Sequence, residues 1–302
     1  MTSTASAEAE LPAMIVSVIL PCFNEQASIA HTLEVVDAAM ATLASYELIV
    51  VNDGSLDGSA AVLEAMQPRF PKLRIVTHER NRGYGAALKT GTRRARGEFI
   101  AITDADGTYP NERLAELVRL CSDMDMVVGA RTGPNVTYSR LRAFPKWFLR
   151  LWVSWIARRR VPDINSGMRV FRRDVVTKFF GILPDTFSFT ITITLAMLTT
   201  SHIVEFVPIN YAARVGNSKI KPIRDTARFI KIILRTGVYF APVRAFMPVL
   251  AVIATGMMAS LFYDVFILQD LTERSLLLFL AVVNSGMFIL IADLIDKRTA
   301  RL

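Results

Sequence analysis

The sequence predicts an α/β domain on a mostly parallel sheet, followed by amphipathic interfacial helices and a C-terminal two-helix transmembrane hairpin. Three observations carry this. Short apolar runs alternate with amphipathic stretches of helical length through roughly the first 130 residues, the pattern of βαβ units. The composition is 52% hydrophobic with a mean hydropathy of +0.36, too apolar for an ordinary soluble enzyme of 302 residues. Finally, Ala245 to Tyr263 and Ser275 to Ala292 carry no charge, and each has about the length that crosses a ~30 Å hydrocarbon core.

Residues 1–13 lack the basic start and apolar core of a signal peptide and read as a flexible tail. Ile15 to Leu20 is β-rich and closes on Pro21-Cys22-Phe23-Asn24-Glu25, after which a helical pattern runs to about Leu43. Leu48 to Val51 ends in Asn52-Asp53-Gly54-Ser55, with a second helix from about Asp57. Leu73 to Val76 is a third strand, and Asn81-Arg82-Gly83-Tyr84-Gly85 leads into a helix reaching about Arg96. Phe99 to Ile102 has the continuous apolar character of a strand buried on both faces, and beyond Thr103 stand two carboxylates, Asp104 and Asp106.

In extended backbone, residues two apart point to the same side, so Asp104 and Asp106 project together from the carboxyl end of a central strand. Two hard oxygen donors so placed suit Mg²⁺ or Mn²⁺ on a substrate's phosphates. An acidic turn before Tyr109-Pro110 is the competing reading. Glu25 and Asp53 also follow the ends of strands, so a parallel sheet brings all four carboxylates to one edge. For Asp53 or Ser55 alone, a helix N-cap is the alternative.

The net charge of +8 is compatible with nucleic acid, an anionic membrane or a phosphorylated substrate. Its distribution favours the membrane. Residues 146–160 hold all three tryptophans interleaved with basic residues and end in Arg158-Arg159-Arg160, as an interfacial helix requires. Arg224, Arg228, Lys231 and Arg235 fall on one helical face just before the first uncharged run. No nucleic-acid motif accompanies them, and nucleic acid is not expected as a partner. Arg235 and Arg244 precede the hairpin and Lys297, Arg298 and Arg301 follow it, with Asp264, Asp270, Glu273 and Arg274 in the connector. The positive-inside rule then places both termini and the catalytic domain on the cytoplasmic side of the cell membrane. Two buried helices of a soluble protein are the competing reading. Gly256 and Ser260 give the first helix a small-residue face for packing within a chain or in a homo-oligomer. Cys22 and Cys121 read as reduced packing residues, and His31, His78 and His202 as structural.

Seven segments now carry a resemblance: Val18 to Glu25, Val50 to Ser55, Asn81 to Gly85, Asp104-Ala105-Asp106, Gly129-Ala130-Arg131, Asp163 to Arg169, and Gly216 to Lys219. In this order they resemble the family 2 glycosyltransferases, in the branch of dolichol-phosphate mannose synthase and bacterial polyprenyl-phosphate glycosyltransferases. The resemblance implies a GT-A-type domain at 14–222, and the charge and hydropathy pattern beyond it divides the rest into a juxtamembrane helix at 223–241, two transmembrane helices within 242–296 and a tail at 297–302. The resemblance also implies inverting transfer of a sugar from a nucleoside-diphosphate sugar, UDP- or GDP-linked, to a polyprenyl phosphate. Pro21, Phe23, Asn24, Glu25, Val51, Asp53, Gly83 and Ala105 would then serve nucleotide-sugar binding, and Asp104 and Asp106 would hold the metal on the diphosphate. Where some relatives have a metal-contacting Gln, this chain has Thr108, which is left out of the metal set. The family's basic residue before the Ser-Lys pair would fall on Ala213, and Arg214 stands one place later, so Arg214 and Lys219 both remain diphosphate candidates.

A polyprenyl phosphate is already largely anionic at neutral pH, its second pKa being about 6, and needs cations more than a base. Arg131, Arg142 and Arg169 are expected to include the acceptor-phosphate clamp, with Arg140 nearby, since the guanidinium fork suits phosphate. Asp163 would orient Arg169 or act as a base, the first being favoured. Phe187 to Thr190 is placed near the donor sugar. The alternatives are a glycosyltransferase using a hydroxyl acceptor and a non-catalytic, membrane-anchored nucleotide-sugar-binding subunit.

Overall fold

A computed structural model of the chain describes residues 15–133, 143–212, 231 and 234–299. The tail 1–13, Arg140, Arg142, Arg214, Lys219 and most of the basic segment 223–241 lie outside the described residues. The chain divides into two compact units.

The first unit holds a seven-stranded sheet. Its strands are β1 (Ile15–Cys22), β2 (Ser45–Asn52), β3 (Leu73–Thr77), β4 (Phe99–Ile102), β5 (Met126–Ala130), β6 (Arg169–Arg172) and β7 (Val204–Pro208), in the order β3-β2-β1-β4-β6-β5-β7. All neighbours pair parallel except β6, which runs antiparallel to β4 and β5. The helices of the sheet's first half are α1 (Ile29–Met40), α2 (Ser59–Met66), α3 (Tyr84–Arg94) and α4 (Leu114–Leu120). Val16, Val18, Leu20 and Cys22 alternate along β1 into a core shared with Leu33 and Val36 of α1, Leu63 of α2 and Leu117 of α4. The opposite face packs on α3, where a Cβ on Gly91 would come within 2.5 Å of the Ile19 side chain. Strands covered on both faces explain the near-continuous apolar runs.

Two boundaries differ from the sequence reading. Helix α1 stops at Met40 rather than near Leu43, because the Thr42 hydroxyl turns back to the Ala39 carbonyl at 2.9 Å and the chain leaves for β2. Helix α3 stops at Arg94 because Ala95 is already extended.

The second unit carries α5 (Ala143–Ala157) and two long apolar helices, α8 (Pro242–Tyr263) and α9 (Glu273–Thr299); the intervening α6 (Arg173–Lys178) and α7 (Phe189–Thr199) belong to the chain between β6 and β7. The arginine triplet follows α5 rather than ending it: Arg158 takes a left-handed φ of 54°, and the Ser154 hydroxyl accepts the Val161 N–H at 3.1 Å to close the turn. Val153 and Ile156 of α5 are buried while Arg158, Arg159 and Arg160 are exposed. Trp155 donates its indole N–H to the Arg244 carbonyl at 3.1 Å, and Arg244 donates to the Ile156 carbonyl at 2.7 Å.

Helix α8 continues as a π-turn, so the apolar spans are Pro242–Leu268 and Glu273–Ile295, with mean hydropathies of 2.0 and 2.3. Most of their large side chains are exposed, the opposite of core helices in a soluble protein. Asp264 is not an exposed connector residue. It lies fully buried in the π-turn, accepting the Thr272 N–H at 2.9 Å and the Thr272 hydroxyl at 2.6 Å, with the Arg274 guanidinium 3.8 Å away.

Candidate active site

The strand order reverses direction between β1 and β4, and the loops following β1, β2 and β4 open at the same edge. The loop after β1 is tied to the loop after β2. The Ser55 hydroxyl accepts Asn24 N–H at 3.0 Å, the Ser59 hydroxyl accepts Glu25 N–H at 2.9 Å, and Asp57 accepts Gln26 N–H at 3.2 Å. Asn24 holds a left-handed φ of 56°, which turns Glu25 away from the strand direction. Pro21, Phe23, Asn24 and Glu25 are partly exposed here.

Asp53 is buried and heavily engaged. Its Oδ1 accepts from His78 Nδ1 at 2.6 Å and from Arg82 N–H at 2.9 Å, and its Oδ2 accepts from Gly83 N–H at 2.8 Å. His78 Nε2 reaches the Thr90 hydroxyl at 3.0 Å. Asp53 therefore organises the 81–83 loop as well as facing the edge where a nucleoside would sit. Gly54 has φ 67° and packs so closely on the Arg80–Asn81 backbone that a Cβ has no room. Val51 and Ala105, at 0% and 2% exposure, back this edge from beneath.

Asp104 and Asp106 do not continue the strand. β4 ends at Ile102, and the pair sits in a turn completed by Gly107 at φ 69°, so strict alternation no longer aims them. Other residues do. Tyr84 donates its hydroxyl to Asp104 Oδ1 at 2.9 Å, and Thr108 donates both N–H and hydroxyl to Asp106 Oδ1, at 3.1 and 2.7 Å. Burial and the adjacent Asp104 charge push the Tyr84 hydroxyl well above its ordinary pKa, keeping it a donor. Because β6 is antiparallel, the loop preceding it arrives at the carboxyl ends of β4 and β5. Gly167 of that loop leaves room for Asp104: a Cβ there would stand 2.8 Å from both carboxylate oxygens. The Gly167 N–H donates to the Tyr109 hydroxyl at 2.6 Å.

The arginines fall into two environments. Arg131, at the end of β5, donates through Nε and Nη2 to the two oxygens of Asp163, at 2.7 and 3.0 Å, and its backbone N–H adds a third bond at 3.1 Å. Its guanidinium lies over the Tyr211 ring at 5.2 Å, which in turn meets Tyr109 edge-on. Burial disfavours the charges, but the mutual attraction wins, so Asp163 is held below the usual carboxylate range and Arg131 above its own. Asp163 thus orients Arg131, not Arg169 as the sequence suggested. Arg169 is fully buried, its guanidinium donating to the Ser166 and Thr190 carbonyls, and burial lowers its pKa to about 10. It has no surface to present to an acceptor phosphate, unlike the clamp role that its position in the sequence suggested.

Tyr84, Thr108 and His78 were absent from the sequence-derived site. His78 stands one residue beyond β3, the same strand-end position as Asp53, and that placement was the available signal. Asp104 and Asp106 are the chemistry of a hard-cation site, and Gly167 preserves space against them. Among the described residues no set of three or more His, Cys, Asp or Glu gathers as a metal cage.

A mostly parallel sheet with a carboxylate turn at its switch point is an arrangement that GT-A-type folds share. The fold is that of glucosyl-3-phosphoglycerate synthase from Mycobacterium tuberculosis, solved with Mn²⁺, uridine diphosphate and product, at a TM-score of 0.56 and 19% identity over 74% of this chain and 80% of that one. The model of glycosyl transferase family 2 matches residues 17–180, and the chain belongs to this family. It is 30% identical over 226 residues to undecaprenyl-phosphate 4-deoxy-4-formamido-L-arabinose transferase from Pseudomonas fluorescens (strain Pf0-1), covering 70% of this chain and 62% of that protein. It is 31% identical over 183 residues to dolichol-phosphate mannosyltransferase from Mycosarcoma maydis, covering 57% of each. The chain thus spans about three fifths of the length of these relatives.

Proposed function

We propose that this chain transfers a sugar from a nucleoside-diphosphate sugar to a polyprenyl phosphate at the cytoplasmic face of a membrane, with inversion at the anomeric carbon. The observation that carries the reading is the Asp104–Asp106 turn at the switch point, in a chain that also holds an aromatic, basic helix and two exposed apolar helices. The family and its named relatives on lipid phosphates support it.

Asp104 and Asp106 would hold Mg²⁺ or Mn²⁺, which when bound neutralises charge on the departing diphosphate. Glu25 and Asp53 lie at the edge suited to the nucleoside, and Arg214 and Lys219 are proposed for the diphosphate. The acceptor oxygen, already anionic, attacks the anomeric carbon as the bond to the diphosphate oxygen breaks, and no proton need be removed. Arg131, aimed by Asp163, and Arg142 are proposed to present the acceptor phosphate. Asp163 is poorly suited to act as a base: both its oxygens are engaged, and the Arg131 charge keeps it ionised and weakly basic. That favours a phosphate over a hydroxyl acceptor.

The test supplies membranes with polyprenyl phosphate and a panel of radiolabelled donors, UDP-glucose, UDP-N-acetylglucosamine, UDP-galactose and GDP-mannose, and follows label into butanol-extractable lipid. One donor should be transferred, and EDTA, D104A or D106A should cut the rate by at least about 100-fold. Undiminished turnover under exhaustive chelation, or label appearing only on a hydroxyl acceptor, would refute the reading.

A further inference from the structure

In the sheet-bearing unit, most large apolar side chains are covered, yet Phe187 is 66% exposed. It stands next to the carboxylate turn. Its ring stacks on Tyr84, with centroids 5.2 Å apart and planes 20° from parallel, and the Tyr84 hydroxyl is bonded to Asp104. One ring face is thus committed to Tyr84.

The segment that carries Phe187 is pinned on both sides. Asp185 forms an ion pair with Lys89 at 2.8 Å, and its carbonyl accepts the Ala86 N–H at 3.2 Å. The Pro184 and Asp185 carbonyls lie so close over Gly85 and Gly83 that neither glycine could carry a Cβ. On the other side Ser188, Phe189 and Thr190 are buried, and the Thr190 hydroxyl bonds Asn165 at 2.6 Å. An exposed aromatic held by buried neighbours is pre-organised, so a ligand that covers it loses little ordering entropy.

We propose that Phe187 is the platform on which the transferred sugar ring rests, making it a specificity residue for the donor. This rests on the function proposed above. Where Asp104 and Asp106 would hold the divalent ion that engages the diphosphate, the sugar is the group bonded directly to the phosphate there, whereas the nucleoside extends toward Asp53 and Glu25. The C–H face of a pyranose is apolar and packs on an aromatic face, while its hydroxyls remain at the rim for polar contacts. Through Tyr84 the same stack reaches the carboxylate that faces the diphosphate, so sugar occupancy and the Asp104 position are linked by one ring pair.

The full chain in detergent or vesicles is assayed with the donor the panel selects, its nucleoside diphosphate as product inhibitor, and polyprenyl phosphate. F187A should raise the donor KM about tenfold, leave inhibition by the nucleoside diphosphate within about twofold, and leave the acceptor KM within about twofold. F187Y, which keeps the ring, should restore the donor KM. Equal weakening of donor and nucleoside diphosphate, a rise in acceptor KM instead of donor KM, or no change in F187A would each overturn the proposal. A wild type whose turnover survives exhaustive chelation, or that labels only a hydroxyl acceptor, defeats the parent reading, and this inference with it; a metal-dependent, lipid-labelling wild type with one of the three results above defeats this inference alone.

Discussion

Asp163 and Arg131 show how two charges survive where either alone would not. The carboxylate is only 10% exposed and the guanidinium 21%, so both have lost much of their water. The fork geometry and the backbone N–H bond repay that loss. Replacing Asp163 with Asn leaves Arg131 without its counter-charge, and D163N should be less stable than wild type by about 3 kcal/mol at neutral pH. The pH dependence follows from the direction of the shift. Asp163 ionises at lower pH in the folded chain than in the unfolded one, so its contribution is complete above the unfolded value of about 3.9 and fades as pH falls through the folded value. Denaturation midpoints of wild type and D163N should therefore converge in strongly acidic buffer and separate above about pH 5. A gap that stays constant through the acidic range would mean that the ion pair is not what Asp163 contributes.

At the level of elements, the antiparallel β6 accounts for the site's most demanding contact. It carries the 163–167 loop to the carboxyl edge, where Gly167 abuts Asp104. A methyl group at 167 meets the end of a side chain rather than backbone, so the carboxylate can swing away and the fold can persist. G167A should consequently retain its thermal midpoint within a few degrees while its apparent affinity for Mn²⁺ in the transfer assay falls about 10- to 100-fold. Unchanged metal dependence would show that Asp104 is not the group that Gly167 makes room for. The same strand marks the limit of what the sequence made legible. β4 is wholly apolar and β1 and β2 carry runs such as Val18-Ile19-Leu20 and Leu48-Ile49-Val50-Val51, because a strand covered on both faces favours apolar side chains on each. β6 begins and ends on arginine, and the buried Arg169 is accommodated there by hydrogen bonds to the carbonyls of Ser166, three residues earlier, and Thr190, on a different element. No local pattern announces that. Asp104 and Asp106 were legible as a pair; the donors that aim them, Tyr84 and Thr108, depend on neighbours brought together by the turn and by α3.

Across the whole molecule, the sheet-bearing unit is built like a soluble enzyme, and the second unit turns its apolar side chains outward. Val252, Phe262, Leu277, Phe288 and Leu290 are each more than 60% exposed along α8 and α9, which water would penalise and hydrocarbon would not. At the hairpin tip Asp264 Oδ2 accepts from Thr272 and its Oδ1 lies 3.8 Å from the Arg274 guanidinium, while Asp270 is exposed, as suits a segment returning to water. Basic residues flank the other ends, so the tip is expected on the side away from the cytoplasm. The chain is well arranged to report this. Cys22 and Cys121 are both buried, and burial pushes their thiols up to about 11 and about 12, so neither supplies reactive thiolate at neutral pH. D270C therefore introduces a single accessible thiol. A membrane-impermeant maleimide applied to spheroplasts should label D270C and leave wild type unlabelled, whereas inverted vesicles should protect the same cysteine until detergent is added. Labelling in inverted vesicles but not in spheroplasts would place the tip, and with it the orientation of the catalytic unit, on the opposite side from the one the flanking charges dictate.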